Sequence, residues 1–179
     1  MTTIANPAVT DGTAPAPLRL ARQGIALLSR IPDGAIALLG RFAIAAIFWK
    51  SGQTKIEGLA IDIVSGEFKL GLPRLSDSAV ALFRDEYKLP LIAPEFAAPL
   101  AAFAEHVFPP LILLGLATRF SALALLGMTA TIQLLVYPDA WPTHGVWAAV
   151  PLFLAARGPG AISLDHLIAR HGGSGSGKV

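Results

Sequence analysis

Arg41 and Glu105 each interrupt an apolar stretch long enough to cross a membrane, the first within residues 34–49 and the second within 96–111. A charge at mid-bilayer depth costs about 2.5–3.5 kcal/mol on insertion scales, so such residues face a bundle interior, find a partner and mark a site. Depth counting sets the two side by side. Arg41 lies eight residues from the outer-end Trp49 and Glu105 nine residues from the outer-end Phe96, about 12 and 13 Å at a helical rise. In neighbouring antiparallel helices the carboxylate would then oppose the guanidinium, with bidentate pairing available. Two uses follow from such a pair. It fixes helix register as a structural ion pair, or it anchors a ligand headgroup or serves a proton relay.

Further polar residues climb from that level. Arg41, Phe48, Gly52 and Lys55 fall within about 40° of each other around the first helix, at 100° per residue. Trp49, Gln53, Tyr87, Tyr137, Asp139, Trp141, His144 and Trp147 gather at the mouth above it. An interfacial aromatic belt accounts for most of these. It does not account for Gln133, one turn below Tyr137, or for His144 just inside the fourth helix. Polar side chains there bond across helices, and a headgroup site needs the same donors and acceptors. His106 adjoins Glu105 but points about 100° away. The candidate ligand-binding set is therefore Arg41, Glu105, His106, Gln133, Tyr137 and His144, with no catalytic residue and no metal ligand assigned. Haem held by His106 and His144 is disfavoured, because the two differ in depth by about 10 Å. Pro109 and Pro110 remove two backbone donors just beyond Glu105 and predict a kink with a small cavity beside the carboxylate.

The elements that must hold these residues are membrane helices. Of the chain, 54% is apolar and 15% charged, and the mean hydropathy is +0.60, which excludes an ordinary soluble domain. Apolar clusters at 34–52, 96–118, 120–138 and 141–156 predict four spans, the first and last short for a bilayer that needs about 20 residues. The fold class expected is all-α: an integral-membrane four-helix bundle over residues 18–171, with amphipathic interfacial helices and a structured external loop at 54–94. Residues 18–30 carry apolar residues at helical spacing with arginines opposite, as an interfacial helix does. Within the loop, 60–64 and 68–70 suggest a hairpin around Ser65-Gly66. Ser76 or Ser78 can cap a helix burying Ala79, Leu82, Phe83 and Tyr87, ended by Pro90. Ser163 caps a last helix that Gly172-Gly173 terminates. Residues 1–17 and 172–179 read as a disordered tail and a flexible tail, with no cleavable signal peptide.

Arg19, Arg22, Arg30, Arg119, Arg157 and Arg170 cluster on one side of the spans, against Lys50 and Lys55 on the other. Both termini are accordingly expected in the cytoplasm, in a multi-pass protein of a bacterial inner membrane. The net charge of +2 points to membrane lipid headgroups as partners and not to nucleic acid. Cysteine is absent, so thiol redox chemistry, thiolate-held clusters and disulfides are excluded. Any redox role needs a quinone, another bound cofactor or a partner protein.

Several segments carry a family resemblance. Residues 40–55, Ala104-Glu105-His106, Leu114-Gly115-Leu116-Ala117-Thr118-Arg119 and the run Tyr137-Pro138-Asp139-Ala140-Trp141-Pro142-Thr143-His144 resemble DoxX-like membrane proteins. The segment Phe83-Arg84-Asp85-Glu86-Tyr87-Lys88-Leu89-Pro90 is similar to a proteobacterial branch of them. The resemblance spans about residues 35–157. It implies a small four-helix inner-membrane protein linked to membrane redox chemistry, including the quinone-reducing thiosulfate oxidoreductase type, and to oxidative- or metal-stress operons. It implies no agreed catalytic residue set. The function expected is a quinone-interacting component of a membrane redox or stress-response system. The alternative is a non-enzymatic anchor or assembly partner for soluble redox or metal-handling proteins. A transporter would require such a thin bundle to form a homo-oligomer.

Overall fold

Small or apolar residues recur on one face of the tract after Pro32, at Ala37, Ile44, Ala45, Phe48 and Gly52, with Arg41 among them. That face is what the fold buries. The computed structural model describes residues 15–62 and 65–172, so most of the two expected tails lies outside the described residues. The chain divides after Pro32 into two units. The first contains helix α1 (Ala16–Leu28), which begins within the expected tail. Its Leu18, Leu20, Ile25, Leu27 and Leu28 are all exposed, as an amphipathic helix made for an interface requires.

The second unit is built on four long helices: α2 (Asp33–Gln53), α4 (Pro94–Leu114), α5 (Thr118–Thr131) and α6 (Trp141–Arg157). A π-helical turn, Ile132–Val136, extends α5. Helix α2 packs on α4 and α6, and α5 packs on the same two, which closes a four-helix bundle. The stretches Asp33–Gln53, Pro94–Leu114 and Thr118–Val136 are long and apolar enough to cross a membrane. Helix α6, with 17 residues, spans only about 25 Å, short of a hydrocarbon core of about 30 Å. The first span is thus longer than expected, while the fourth is as short as its sequence implies. Ile44, Phe48, Ile112, Leu125 and Leu154 form the interior. Leu39, Phe42, Phe103, Phe120, Leu134 and Leu152 point outward and are exposed, an apolar exterior suited to lipid. The protein is an all-α membrane protein.

Helix α4 ends earlier than the expected residue 118. Gly115 adopts a left-handed conformation at φ 69°, and a side chain there would strike Ser163 at 2.4 Å. The Gly115 N–H bonds the Ile112 carbonyl and the Leu116 N–H bonds the Leu111 carbonyl, the double bond pattern of a glycine-terminated helix. The chain turns at once into α5. Pro109 and Pro110 lie inside α4, which continues through them to Leu114.

The connection from α2 to α4 folds into two nested antiparallel pairs. Strands β1 (Ile56–Glu57) and β4 (Arg74–Leu75) form one, and β2 (Ala60–Asp62) and β3 (Glu67–Lys69) the other. The inner hairpin aligns Ile61 with Phe68, close to the expected pairing, whose residues 63–64 lie outside the described ones. Ser76 caps α3 (Asp77–Leu82) by accepting the Ala79 N–H at 3.2 Å. A π-helical turn, Phe83–Tyr87, follows and stops at Lys88, which is left-handed at φ 46°, two residues before Pro90. Phe83 packs with Ala97 and Ala98, so the first turns of α4 are covered by the connection. At the opposite end, Ser163 caps α7 (Leu164–Gly172) as expected, accepting the His166 N–H at 3.2 Å.

Candidate functional site

Arg41 and Glu105 are not partners. Ser51 bonds Glu105 and Gly52 packs against it, whereas Arg41 lies opposite Ile112 and Leu113. Helix α4 is slid along α2 by about ten residues, or about 15 Å, relative to the register in which Trp49 and Phe96 share a level. The cause is the structured connection. The start of α4 projects into it and packs on Phe83 instead of on α2.

Arg41 is a clamp at the end of the bundle that carries α7. Its Nε donates to the Ile112 carbonyl at 2.9 Å and a terminal nitrogen donates to the Leu113 carbonyl at 2.6 Å. The other terminal nitrogen reaches the Pro159 and Ile162 carbonyls at 3.0 and 2.5 Å. Two of these acceptors are unpaired carbonyls at the C-terminal, negative end of a helix dipole, where a cation is favoured. The other two tie the segment after α6 to the bundle. Beside the clamp, the Asp165 carboxylate accepts the Ala117 and Thr118 N–H groups at 2.8 and 2.9 Å and so caps α5. Burial acts to raise its pKa, but the Thr118 and Ala117 N–H bonds and the Arg41 charge outweigh it and hold the carboxyl below its usual value. Two shallow grooves lie at this end. One, of about 460 Å³, is lined by Leu38, Phe42, Leu113 and Ile162, and the other, of about 420 Å³, by Thr118, Arg119 and Asp165.

Glu105 instead meets Lys55 at the loop-bearing end. The Lys55 ammonium stands 2.8 Å from Oε2 and 3.1 Å from Oε1, with both side chains only 4% exposed. The ammonium also donates to the Ser51 hydroxyl and carbonyl at 3.0 and 3.2 Å, and that hydroxyl donates to Glu105 Oε1 at 3.0 Å. Lys55 is held there by backbone: its N–H bonds the Gly52 carbonyl and its carbonyl accepts the Ser76 N–H at 3.0 Å. Glu105 Oε2 is buried without a hydrogen-bond donor of good geometry and faces the ammonium alone. The close approach of α2 and α4 depends on Gly52, where a Cβ would fall 2.8 Å from the His106 ring and 2.9 Å from the Glu105 Cβ. The polar stripe expected on α2 does face the bundle, with Arg41, Phe48, Gly52 and Lys55 all buried, but its two cations serve opposite ends.

His106 borders the pair. Its Nδ1 bonds the Ala102 carbonyl at 2.7 Å and its Nε2 meets the Gln53 amide nitrogen at 2.9 Å. Gln53 accepts the Ile61 N–H at 2.7 Å through its oxygen, so its nitrogen faces His106. The ring is therefore the neutral tautomer with its proton on Nδ1. Both nitrogens are engaged, which leaves none for haem iron. Trp49 stacks edge-on against His106 at 5.2 Å and donates its indole N–H to the Ile61 carbonyl. Gln53 and Trp49 thereby pin the β2–β3 hairpin over the site.

The remaining candidates form a second polar group at the same end. His144 Nδ1 donates to the Gln133 side-chain oxygen at 2.8 Å, and the Gln133 nitrogen donates to the Pro138 carbonyl at 2.6 Å. This is the cross-helix bond expected of polar residues at that depth. The Tyr137 hydroxyl donates to the exposed Glu86 carboxylate, and its ring meets Tyr87 edge to face at 5.8 Å. That donation pushes the Tyr137 phenol well above its ordinary pKa. Tyr87 is raised too, first by burial and then by the negative charge of Glu105. Sequence reasoning missed Lys55 as the partner of Glu105, and Ser51 and Glu86 as participants. The usable signal was Lys55 itself, a cation on the buried stripe of α2.

No curated protein and no solved structure matches this chain. The DoxX family model matches residues 36–138, more than half of the sequence, from α2 through α4 and α5 to the turn before α6. With a four-helix membrane bundle built on those elements, the protein belongs to the DoxX family.

Proposed function

We propose that the protein is a quinone-interacting component of a membrane redox system, in a bacterial inner membrane with both termini cytoplasmic. The observation that carries this reading is Glu105 Oε2, a carboxylate oxygen buried inside a membrane bundle with only an ammonium beside it. Buried acceptors are normally satisfied by donors, so this atom suits a ligand hydroxyl. A quinone supplies the two-electron, two-proton chemistry that a chain without cysteine lacks. Glu105 would accept or return a proton, and Lys55 would stabilise the carboxylate form. His106 would be held in its donor-on-Nδ1 tautomer, while Gln133, Tyr137 and His144 line the approach. Arg41 leaves the proposed site, because all its contacts are to backbone carbonyls at the other end.

The site can be tested through Trp49, which stacks on His106. Titrating a short-chain benzoquinone into the purified protein should quench tryptophan emission saturably, and Trp49→Phe should remove most of the saturable part. Quenching that rises linearly with quinone in both proteins would contradict a site.

A second reading, membrane anchoring of a soluble redox or metal-handling partner, is favoured by one observation. Leu70 and Leu72 on the folded connection are 82% and 88% exposed, outside any candidate span. Under that reading, Leu70→Ser with Leu72→Ser abolishes partner association while leaving quinone retention unchanged.

A further inference from the structure

Two π-helical turns in this protein each deliver a tyrosine to the same place. In the first, the Lys88 N–H bonds the Phe83 carbonyl five residues back, and Tyr87 is its last residue. In the second, the Tyr137 N–H bonds the Ile132 carbonyl in the same way, and Tyr137 is the residue that closes it. Such turns are rare and recur at functional sites. One lies in the connection and the other at the end of a membrane helix, yet the two rings meet at 5.8 Å in an edge-to-face contact. Tyr137 then donates to Glu86, whose side chain is exposed. On the inner side, Tyr87 packs edge-on against Phe83 at 4.8 Å, in the cluster that includes Ala97, Ala98 and Ala101. Ala98, Ala101 and Glu105 fall on one face of α4. Side chains on that face between the phenol and the carboxylate are therefore only methyls.

We propose that Tyr87 and Tyr137 form a hydroxyl relay that carries a proton from the buried Glu105 carboxyl to Glu86 at the protein surface. The proposal deepens the quinone reading and rests on its assignment of Glu105 as the proton-accepting group. The direction follows from the bond observed: Tyr137 already donates its proton toward Glu86. When Glu105 is protonated, it gives its proton to the Tyr87 oxygen as Tyr87 passes its own to Tyr137 and Tyr137 passes its own to Glu86. Each tyrosine ends with one proton, Glu105 regains its negative charge beside Lys55, and Glu86 releases the proton to water. Rotation of the two hydroxyls rearms the chain. Both phenols are held above their ordinary pKa, which keeps them neutral donors between transfers.

The test is infrared difference spectroscopy on the full-length protein in detergent, following the carboxylic-acid band of Glu105 after a rapid rise in pH. Glu105→Gln identifies the band. Tyr87→Phe and Tyr137→Phe keep the ring contacts and remove only the hydroxyls, and Glu86→Gln leaves both rings untouched. We expect loss of the band to be at least tenfold slower in either tyrosine variant, with unchanged amplitude, and slower also in Glu86→Gln. Equal rates in wild type and both tyrosine variants would overturn the relay. So would the lack of any Glu105 acid band in wild type. Neither result depends on bound quinone, whose retention by wild type and Glu105→Gln is measured separately. Failure of the relay is thus distinguished from failure of the quinone reading.

Discussion

The Lys55–Glu105 pair concentrates the chemistry of this protein in a few atoms. Two opposite charges are withdrawn almost fully from solvent, with Ser51 bonded to both. Removing one partner of a buried pair strands the other and costs about 3–5 kcal/mol, whereas replacing both with apolar residues is often neutral. We therefore expect Lys55→Met and Glu105→Gln each to lower the unfolding temperature in detergent, with the charge-stranding Lys55→Met the more harmful. The double variant Lys55→Met/Glu105→Leu should recover most of the loss. Additive losses in this cycle would mean that the pair is not coupled. The identity of the buried acid was legible in the sequence, because a carboxylate in an apolar span must face inward and be compensated. Its partner was not. Choosing Arg41 over Lys55 depended on the level of two helix ends, and that level is set by packing of the connection on α4.

At the scale of elements, local signals were sufficient wherever a cap or a period decided the outcome. The Ser76 and Ser163 caps, the β2–β3 hairpin and the amphipathic α1 and α7 all follow from residues close in sequence. The end of α4 did not follow, because Leu114 to Thr118 is apolar enough to continue a span and only Gly115 in its left-handed conformation stops it. That stop brings the Ile112 and Leu113 carbonyls to Arg41 and places Asp165 on the N-terminus of α5. A carboxyl held below its usual pKa contributes stability that is complete above the unfolded value of about 3.9. That contribution is lost as the pH falls through the lower folded value. Docking of α7 should consequently loosen on acidification below about pH 4, read as faster proteolysis of residues 158–163. Asp165→Asn should cleave faster at neutral pH and show a flatter acid response. An unchanged acid profile in Asp165→Asn would assign the loosening to another group.

At the scale of the whole molecule, the bundle begins and ends at one end, where Gly34 packs against Ala161, and carries its folded connection at the other. The absence of cysteine makes sidedness directly measurable. With single cysteines introduced at Lys69 and at His171, a membrane-impermeant maleimide added to intact spheroplasts should label the first and spare the second. The reverse pattern would invert the proposed orientation. Function remains tied to the loop-bearing end, where Lys55, Glu105, His106 and Gln53 form one group and Gln133, His144, Tyr137 and Glu86 another. The most direct test of the central claim is the quinone content of protein purified in mild detergent, wild type beside Glu105→Gln. The account predicts close to one quinone per chain in the wild type and its loss from a variant that remains folded. Quinone absent from both, or retained equally by both, would contradict a quinone site at Glu105.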